Sequence, residues 1–394
     1  MTYIAEDQAD ITLPHLDIKK PVVVLIALIT GCILALIVLA HLFMGRHTNF
    51  EEAAAMGAET TAVMSQVAGY PINCHDNRDA ANCIAGVKAR HAKRSIVWFG
   101  NSQLDTVNQW KPGEPSATPI LFHLLKPNHF DLVTFNQPNA SLEEHYVLFE
   151  YLRRKLPIHT LILPVCFDDT REEGLRSDIR TLMNDQETVH ALAQTAIGRQ
   201  LLSAPSEVLA GSDQDTAGIT NTLQERAEKR LNAWLAGHSA LWQARPQMRG
   251  TLLNNLYELR NTLLGIKATT KRKLIRGRYN DNLAALTAIL NTAASNHIQV
   301  LVYITPIRHD VDIPYVETEY THFKQAVLTL TAQYGATYAN LEDLVPAELW
   351  GSKNTTSMLH GSQEIDFMHF QAGGHQLLAV ALAQLIAHMP GAKA

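Results

Sequence analysis

The chain has no excess of positive charge: 33 Lys and Arg against 38 Asp and Glu leave a net charge of -5. That balance excludes nucleic acid as a main partner, because phosphate binding needs a basic surface. Internal repeats and low-complexity tracts are missing too, so neither a solenoid nor a composition-driven linker is expected. The 18 histidines show no His-Glu-x-x-His or comparable ligand spacing, and a metal-dependent hydrolase is a poor reading. No metal and no cofactor are called for. Cysteine is sparse, at four residues. Charge is missing altogether from Pro21 to Met44, where Val, Leu, Ile and Ala dominate.

That uncharged stretch is long enough for a membrane helix, which needs roughly 20 apolar residues. It is too long for a signal-peptide core of about 7–15 residues. Lys19 and Lys20 precede it and only Arg46 follows closely, so the positive-inside rule puts the N-terminus in the cytoplasm and the body outside. Residues 1–20 then form a cytoplasmic tail and 21–44 a single transmembrane helix in the lipid bilayer of a bacterial cytoplasmic membrane. Ile29-Thr30-Gly31-Cys32 resembles a lipoprotein processing box. Apolar residues run on past Cys32, however, and favour an uncleaved anchor. Residues 45–90 read as a stalk or linker, with Phe50 to Tyr70 a short helix or stalk. Within it Cys74 and Cys83 bracket a polar loop and suit a disulfide in an oxidising compartment. A zinc site with His75 lacks a fourth ligand, and Cys166, in an apolar run, reads as a buried thiol.

From about residue 91 to 394 the pattern is α/β. Ser95 to Phe99, Leu132 to Phe135, Thr160 to Val165 and Gln299 to Thr305 are uniformly apolar runs, with a weaker fifth at Ala336 to Ala339. Such runs between helical segments predict a parallel sheet covered on both faces. A stretch from about 185 to 295 interrupts the alternation and reads as a helical insertion. Ligands bind outside the carboxyl ends of strands in open α/β sheets, and Ser102, Asn136 to Ser141, Asp168 and Arg308 all fall at such ends.

Ser102 follows the first apolar run in a tight Gly100-Asn101-Ser102-Gln103 turn. Near the other end of the chain, Asp366-Phe367-Met368-His369 sets a carboxylate three residues before an imidazole, ahead of a terminal apolar helix. A serine hydroxyl needs an imidazole to take its proton, and the imidazole needs an acid to fix its tautomer. The chain offers one candidate for each role. His375, inside the terminal helix, reads as a packed or surface residue.

These two segments, with Gly373-Gly374-His375 and the run Leu377 to Ile386, resemble the first and last blocks of the SGNH (GDSL-type) hydrolase superfamily. The resemblance implies a flavodoxin-like three-layer fold, with Ser102 the nucleophile, His369 the general base and acid, and Asp366 its orienting partner. It also implies an oxyanion hole built from the serine amide, a glycine amide and an asparagine. Here the chain departs from the pattern. Asn136-Gln137-Pro138-Asn139-Ala140-Ser141 contains no glycine, and Asp168 stands where asparagine is expected. An ionised Asp168 would repel an oxyanion. Asn139 is the favoured side-chain donor, with an amide of Ala140 or Ser141 beside it, while Asp168 can turn away toward Arg171 or a substrate hydroxyl. Arg308 is a candidate for binding an anionic or sugar group. The basic run Lys267, Lys271, Arg272, Lys273, Arg276 and Arg278 is a candidate lipid or glycan contact. An anchored body of this kind resembles envelope-modifying O-acyltransferases and D-alanyl transfer proteins. Such proteins work beside a multi-pass membrane acyltransferase on an envelope polysaccharide. A carbohydrate esterase and a non-catalytic scaffold are the alternatives.

Overall fold

The computed structural model describes residues 28–31, 60–75, 79–91, 94–204, 259–354 and 363–389. The expected membrane span lies outside these residues except for 28–31, which are helical and exposed. Among the described residues, no helix is long and apolar enough to cross a membrane.

Six strands make one sheet: β1 (Asn73–His75), β2 (Arg94–Gly100), β3 (Phe130–Asn136), β4 (Ile158–Val165), β5 (Gln299–Ile304) and β6 (Thr337–Asn340). Their spatial order is β6-β5-β4-β2-β3-β1, with every pairing parallel. Leaving aside β1, this is the flavodoxin-like order, in which the chain reverses direction across the sheet beside its first strand. The expected α/β parallel sheet is therefore present.

The uniform apolarity of the strands follows from burial on both faces. Successive side chains point to opposite sides. Ile96 and Trp98 of β2 enter one core with Leu132, Ile162 and Leu301. Val97 and Phe99 enter the other with Val133, Leu161 and Val302. Helices α1 (Ala80–Ala89), α2 (Ala117–Leu125), α3 (Leu142–Lys155), α4 (Gln186–Leu192), α5 (Ala196–Ser203), α6 (Arg276–Ser295), α7 (Glu317–Gln333) and α8 (Ala372–His388) surround the sheet. On one side α2 packs with α8, and on the other α3 packs with α6. A fully buried Leu or Phe side chain contributes about 1.5–3 kcal/mol, and Phe99, Phe135, Leu161 and Leu301 are fully buried.

Two parts of the chain differ from the sequence reading. The stretch expected as stalk is already body from residue 60 onward. Thr61–Ala62 pairs with Thr106–Val107, Gln66–Val67 pairs with Tyr70–Pro71, and β1 joins the sheet edge beside β3. Segments of two or three residues are too short to show an alternating pattern, which is why they escape detection in sequence. In the stretch read as an insertion, Leu192 and Ile197 at one end and Leu286 and Ile289 of α6 at the other belong to the main core. Residues 205–258 between them lie outside the described part.

Cys74 and Cys83 are joined in a disulfide between β1 and α1, with Cα atoms 6.4 Å apart. Bonded to each other, they leave no thiolate for the zinc alternative. Both are fully buried. Closing a loop of this length should contribute about 2–3 kcal/mol through the unfolded chain. Replacing both cysteines by alanine is expected to lower the urea unfolding free energy of the body by that amount. An unchanged midpoint in equilibrium denaturation would show that the bond carries no stability.

Candidate active site

The nucleophile turn is shaped by a close approach. A Cβ on Gly100 would lie 2.5 Å from Leu104 Cδ2 and 2.8 Å from Asn136 Oδ1, so only glycine lets β2 end this tightly against β3. The chain then enters the short helical turn Ser102–Asp105, with Asn101 Oδ1 accepting the Gln103 amide at 3.0 Å. Asn101 Nδ2 donates to Asp169 Oδ1 at 3.3 Å, and Asp169 Oδ2 accepts the Cys166 amide at 3.1 Å. These bonds tie the end of β2 to the end of β4. Ser102 itself stays half-buried and accessible.

The other half of the site stands on an antiparallel ribbon, β7 (Trp350–Asn354) and β8 (Gln363–Phe370). Asp366 and His369 lie in β8, in an extended segment that runs into α8 rather than in a loop. His369 Nδ1 is 2.9 Å from Asp366 Oδ2, and His369 Nε2 is 2.9 Å from Ser102 Oγ. Asp366 Oδ1 also accepts the amides of Met368 and His369, at 2.8 and 3.0 Å. The three-residue spacing thus lets one carboxylate fold its own turn and orient the ring. Burial alone would raise the Asp366 pKa; the charge and hydrogen bond of His369, with Lys353 and the Met368 amide, outweigh it and hold the group below the ordinary carboxylate range. Asp366 and His369 are buried. Ionised Asp366 fixes the proton on Nδ1, which leaves Nε2 free to accept from serine.

Two residues to which the sequence assigns no role join the halves. Gln103 Nε2 donates to Pro306 O at 2.9 Å and to Met368 O at 2.7 Å, clamping the nucleophile turn to the residue before His369. Asn108 Nδ2 lies 3.2 Å from Asp366 Oδ2. Gln103 adjoins the serine in sequence, a hint that proximity alone provides; Asn108 had none.

The remaining predicted residues fall elsewhere. The loop after β3 starts beside the nucleophile turn, since Gln137 N donates to Gly100 O at 2.9 Å. Asn139 adopts a left-handed backbone at φ 53°. Arg176, paired with Glu144 at 2.9 Å, donates to the carbonyls of Pro138 and Asn139 and braces this loop. The Ser141 side chain is committed to a helix cap. It is buried, caps α3, and its Oγ accepts the Glu144 amide at 3.1 Å. The Ala140 amide is engaged with Gln137 O at 3.0 Å, which leaves it unsuited to the oxyanion role.

Asp168 does turn away. Its carboxylate pairs with Arg171 and Arg272 and accepts from Tyr315 at 2.9 Å. Burial raises its pKa, but Arg272, Arg171 and Tyr315 together hold it below the usual range. Arg308 is corrected from an anion receptor to an internally satisfied side chain: it binds both Asp310 oxygens, at 2.7 and 3.0 Å, and Gly351 O at 3.1 Å. The basic run is also partly committed. Arg272 pairs with Asp168, Arg278 with Glu173, and Lys271 donates to Ile313 O.

No family model and no curated protein matches the chain. Among solved structures it is similar to an aryl esterase from M. smegmatis, at 10% identity and a TM-score of 0.35, over 75% of this chain and 100% of that one. An acetylxylan esterase from Geobacillus stearothermophilus is similar at 10% identity and a TM-score of 0.36, over 76% and 96% of the two chains.

His375 is a structural residue. It is fully buried, with Nδ1 accepting the Ala117 amide at 3.2 Å and Nε2 donating to Thr106 O at 3.1 Å. A proton on Nδ1 would face the Ala117 N–H, and burial lowers its pKa from 6.5 to about 4. As pH falls, the unfolded chain takes up this proton first, so the stability His375 confers is complete above about pH 6.5 and lost toward pH 4. Replacing His375 with Gln, which keeps one donor and one acceptor, should give a wild-type-minus-variant gap in unfolding free energy that narrows by about 2 kcal/mol between pH 7 and pH 5. A gap independent of pH would exclude His375 as a source of the acid sensitivity.

Proposed function

We propose that the chain is a serine acyltransferase of the SGNH type that works through an acyl-enzyme on Ser102, anchored outside the cytoplasmic membrane and acting on an envelope glycan. The observation that carries the chemistry is the unbroken alignment of Ser102 Oγ, His369 and Asp366 Oδ2, with both links at 2.9 Å. The uncharged run from Pro21 to Met44 supports the anchor, and the Cys74–Cys83 disulfide supports an exported body.

In the first half-reaction the Ser102 proton passes to His369 Nε2 as Oγ bonds to the acyl carbon. The negative Asp366 carboxylate, accepting from His369 Nδ1–H, stabilises the imidazolium that forms. The tetrahedral oxyanion needs donors beside Ser102; the Ser102 amide and the Asn139 side chain fill this role, since Asp168 is held in its own ion pairs. His369 then gives its proton to the departing oxygen as the carbon–oxygen bond of the donor breaks. In the second half-reaction His369 deprotonates the acceptor hydroxyl, which takes the acyl group and regenerates Ser102. A sugar hydroxyl as acceptor makes an O-acyltransferase; water makes an esterase. Tethering favours transfer, because it raises the effective concentration near a membrane-bound acyl donor, such as a multi-pass acyltransferase.

The purified body is expected to release acetate from an aryl acetate, and Ser102→Ala to reduce this at least about 1,000-fold, the scale of losing a triad nucleophile. Equal rates in the two proteins would exclude the reading. Mass spectrometry of an envelope glycan incubated with protein and acetyl donor separates the two acceptors: gained acetyl groups mark a transferase, lost ones an esterase.

A further inference from the structure

We infer that Asn108 is a positioning residue of this site: its side-chain amide fixes and supports the Asp366 carboxylate, making a fourth link behind serine, histidine and aspartate. The inference rests on the proposed serine chemistry.

Asn108 is buried, and its backbone N–H donates to Phe370 O at 3.0 Å. Its Nδ2 lies 3.2 Å from Asp366 Oδ2, 3.1 Å from Ser352 O and 3.3 Å from His369 O. All three neighbours are acceptors, so the amide nitrogen, not its oxygen, must face them. One side chain therefore joins β7, the backbone of His369 and the catalytic carboxylate. Asp366 Oδ2 is the same oxygen that receives His369 Nδ1. Asn108 thus sets where that oxygen sits relative to the ring and stabilises its negative charge.

The surrounding sequence makes room for this contact. A Cβ on Gly351 would lie 2.1 Å from Asn108 Oδ1, so glycine is required where β7 passes the amide. The cost is visible as well: Asn108 Oδ1 is buried without a partner, and leaving such a group unsatisfied is unfavourable. The charged and titratable groups that act on Asp366 are His369 on its own strand and Lys353 across the ribbon, the latter paired with Glu364 at 3.5 Å.

The experiment compares the wild-type body with Asn108→Ala and Asn108→Asp on an aryl acetate, recording kcat and KM from pH 5 to 9. Asn108→Ala is expected to lower kcat about 10- to 100-fold, the scale of one lost hydrogen bond to a charged group, with KM nearly unchanged. Asn108→Asp puts two carboxylates side by side, so the pair retains one proton over an extended range. The retained O–H can donate to Asp366 as the amide does. Asn108→Asp should therefore hold activity near wild type at low pH and lose it on the alkaline side, where the wild type does not. Should Asn108→Ala fail to fold, the alkaline loss in Asn108→Asp decides alone. Wild-type kcat in Asn108→Ala, or the same pH profile in Asn108→Asp as in the wild type, overturns the inference. A wild type no more active than Ser102→Ala would instead overturn the serine chemistry itself.

Discussion

The contact on which the site depends is the 2.9 Å bond between His369 Nε2 and Ser102 Oγ. It joins two parts of the chain that are 267 residues apart, and each is held by a different framework. Ser102 stands at the end of a central parallel strand, beside the point where the strand order reverses. His369 stands on a two-stranded antiparallel ribbon that packs against the Ser102–Asp105 turn and runs into the terminal helix. Neither framework alone makes an acyl-transfer site. The Gln103 amide, bonded to both Pro306 O and Met368 O, keeps them in register.

The electrostatics follow from burial. Asp366 is removed from water, yet it accepts hydrogen bonds on both oxygens and faces an imidazole, so its ionised form is favoured over the protonated one. A half-buried carboxylate, Asp168, is handled differently: two arginines offset its charge and a tyrosine hydroxyl donates to it. That network uses Arg272, and so ties the chain just before α6 to the end of β4. The same aspartate that breaks the expected oxyanion pattern thus has a structural task.

Much of this was legible in the sequence. The buried strands declared themselves by uniform apolarity, because a parallel sheet covered on both faces has no polar side. Ser102, Asp366 and His369 were legible because their roles demand specific groups in a specific order. The cap made by the Ser141 side chain and the ion pair made by Arg308 were not legible for a common reason: a serine and an arginine near a strand end suit a ligand, a helix cap or a local ion pair equally well. Only the partners decide, here the Glu144 amide and Asp310. The ribbon that carries His369 was hidden because β7 is mostly polar and its register shifts between Trp350 and Ser352. Asn108 was invisible for a deeper reason, since its contacts exist only once β7, β8 and the nucleophile turn have come together.

The central claim is that Ser102 is activated by His369. It is tested most directly by exposing the folded body to an active-site fluorophosphonate and mapping the adduct by peptide mass spectrometry. The account predicts a single adduct on Ser102 that disappears when His369 is replaced by alanine. A folded protein that remains unlabelled, or labelling of Ser102 that persists without His369, would contradict it.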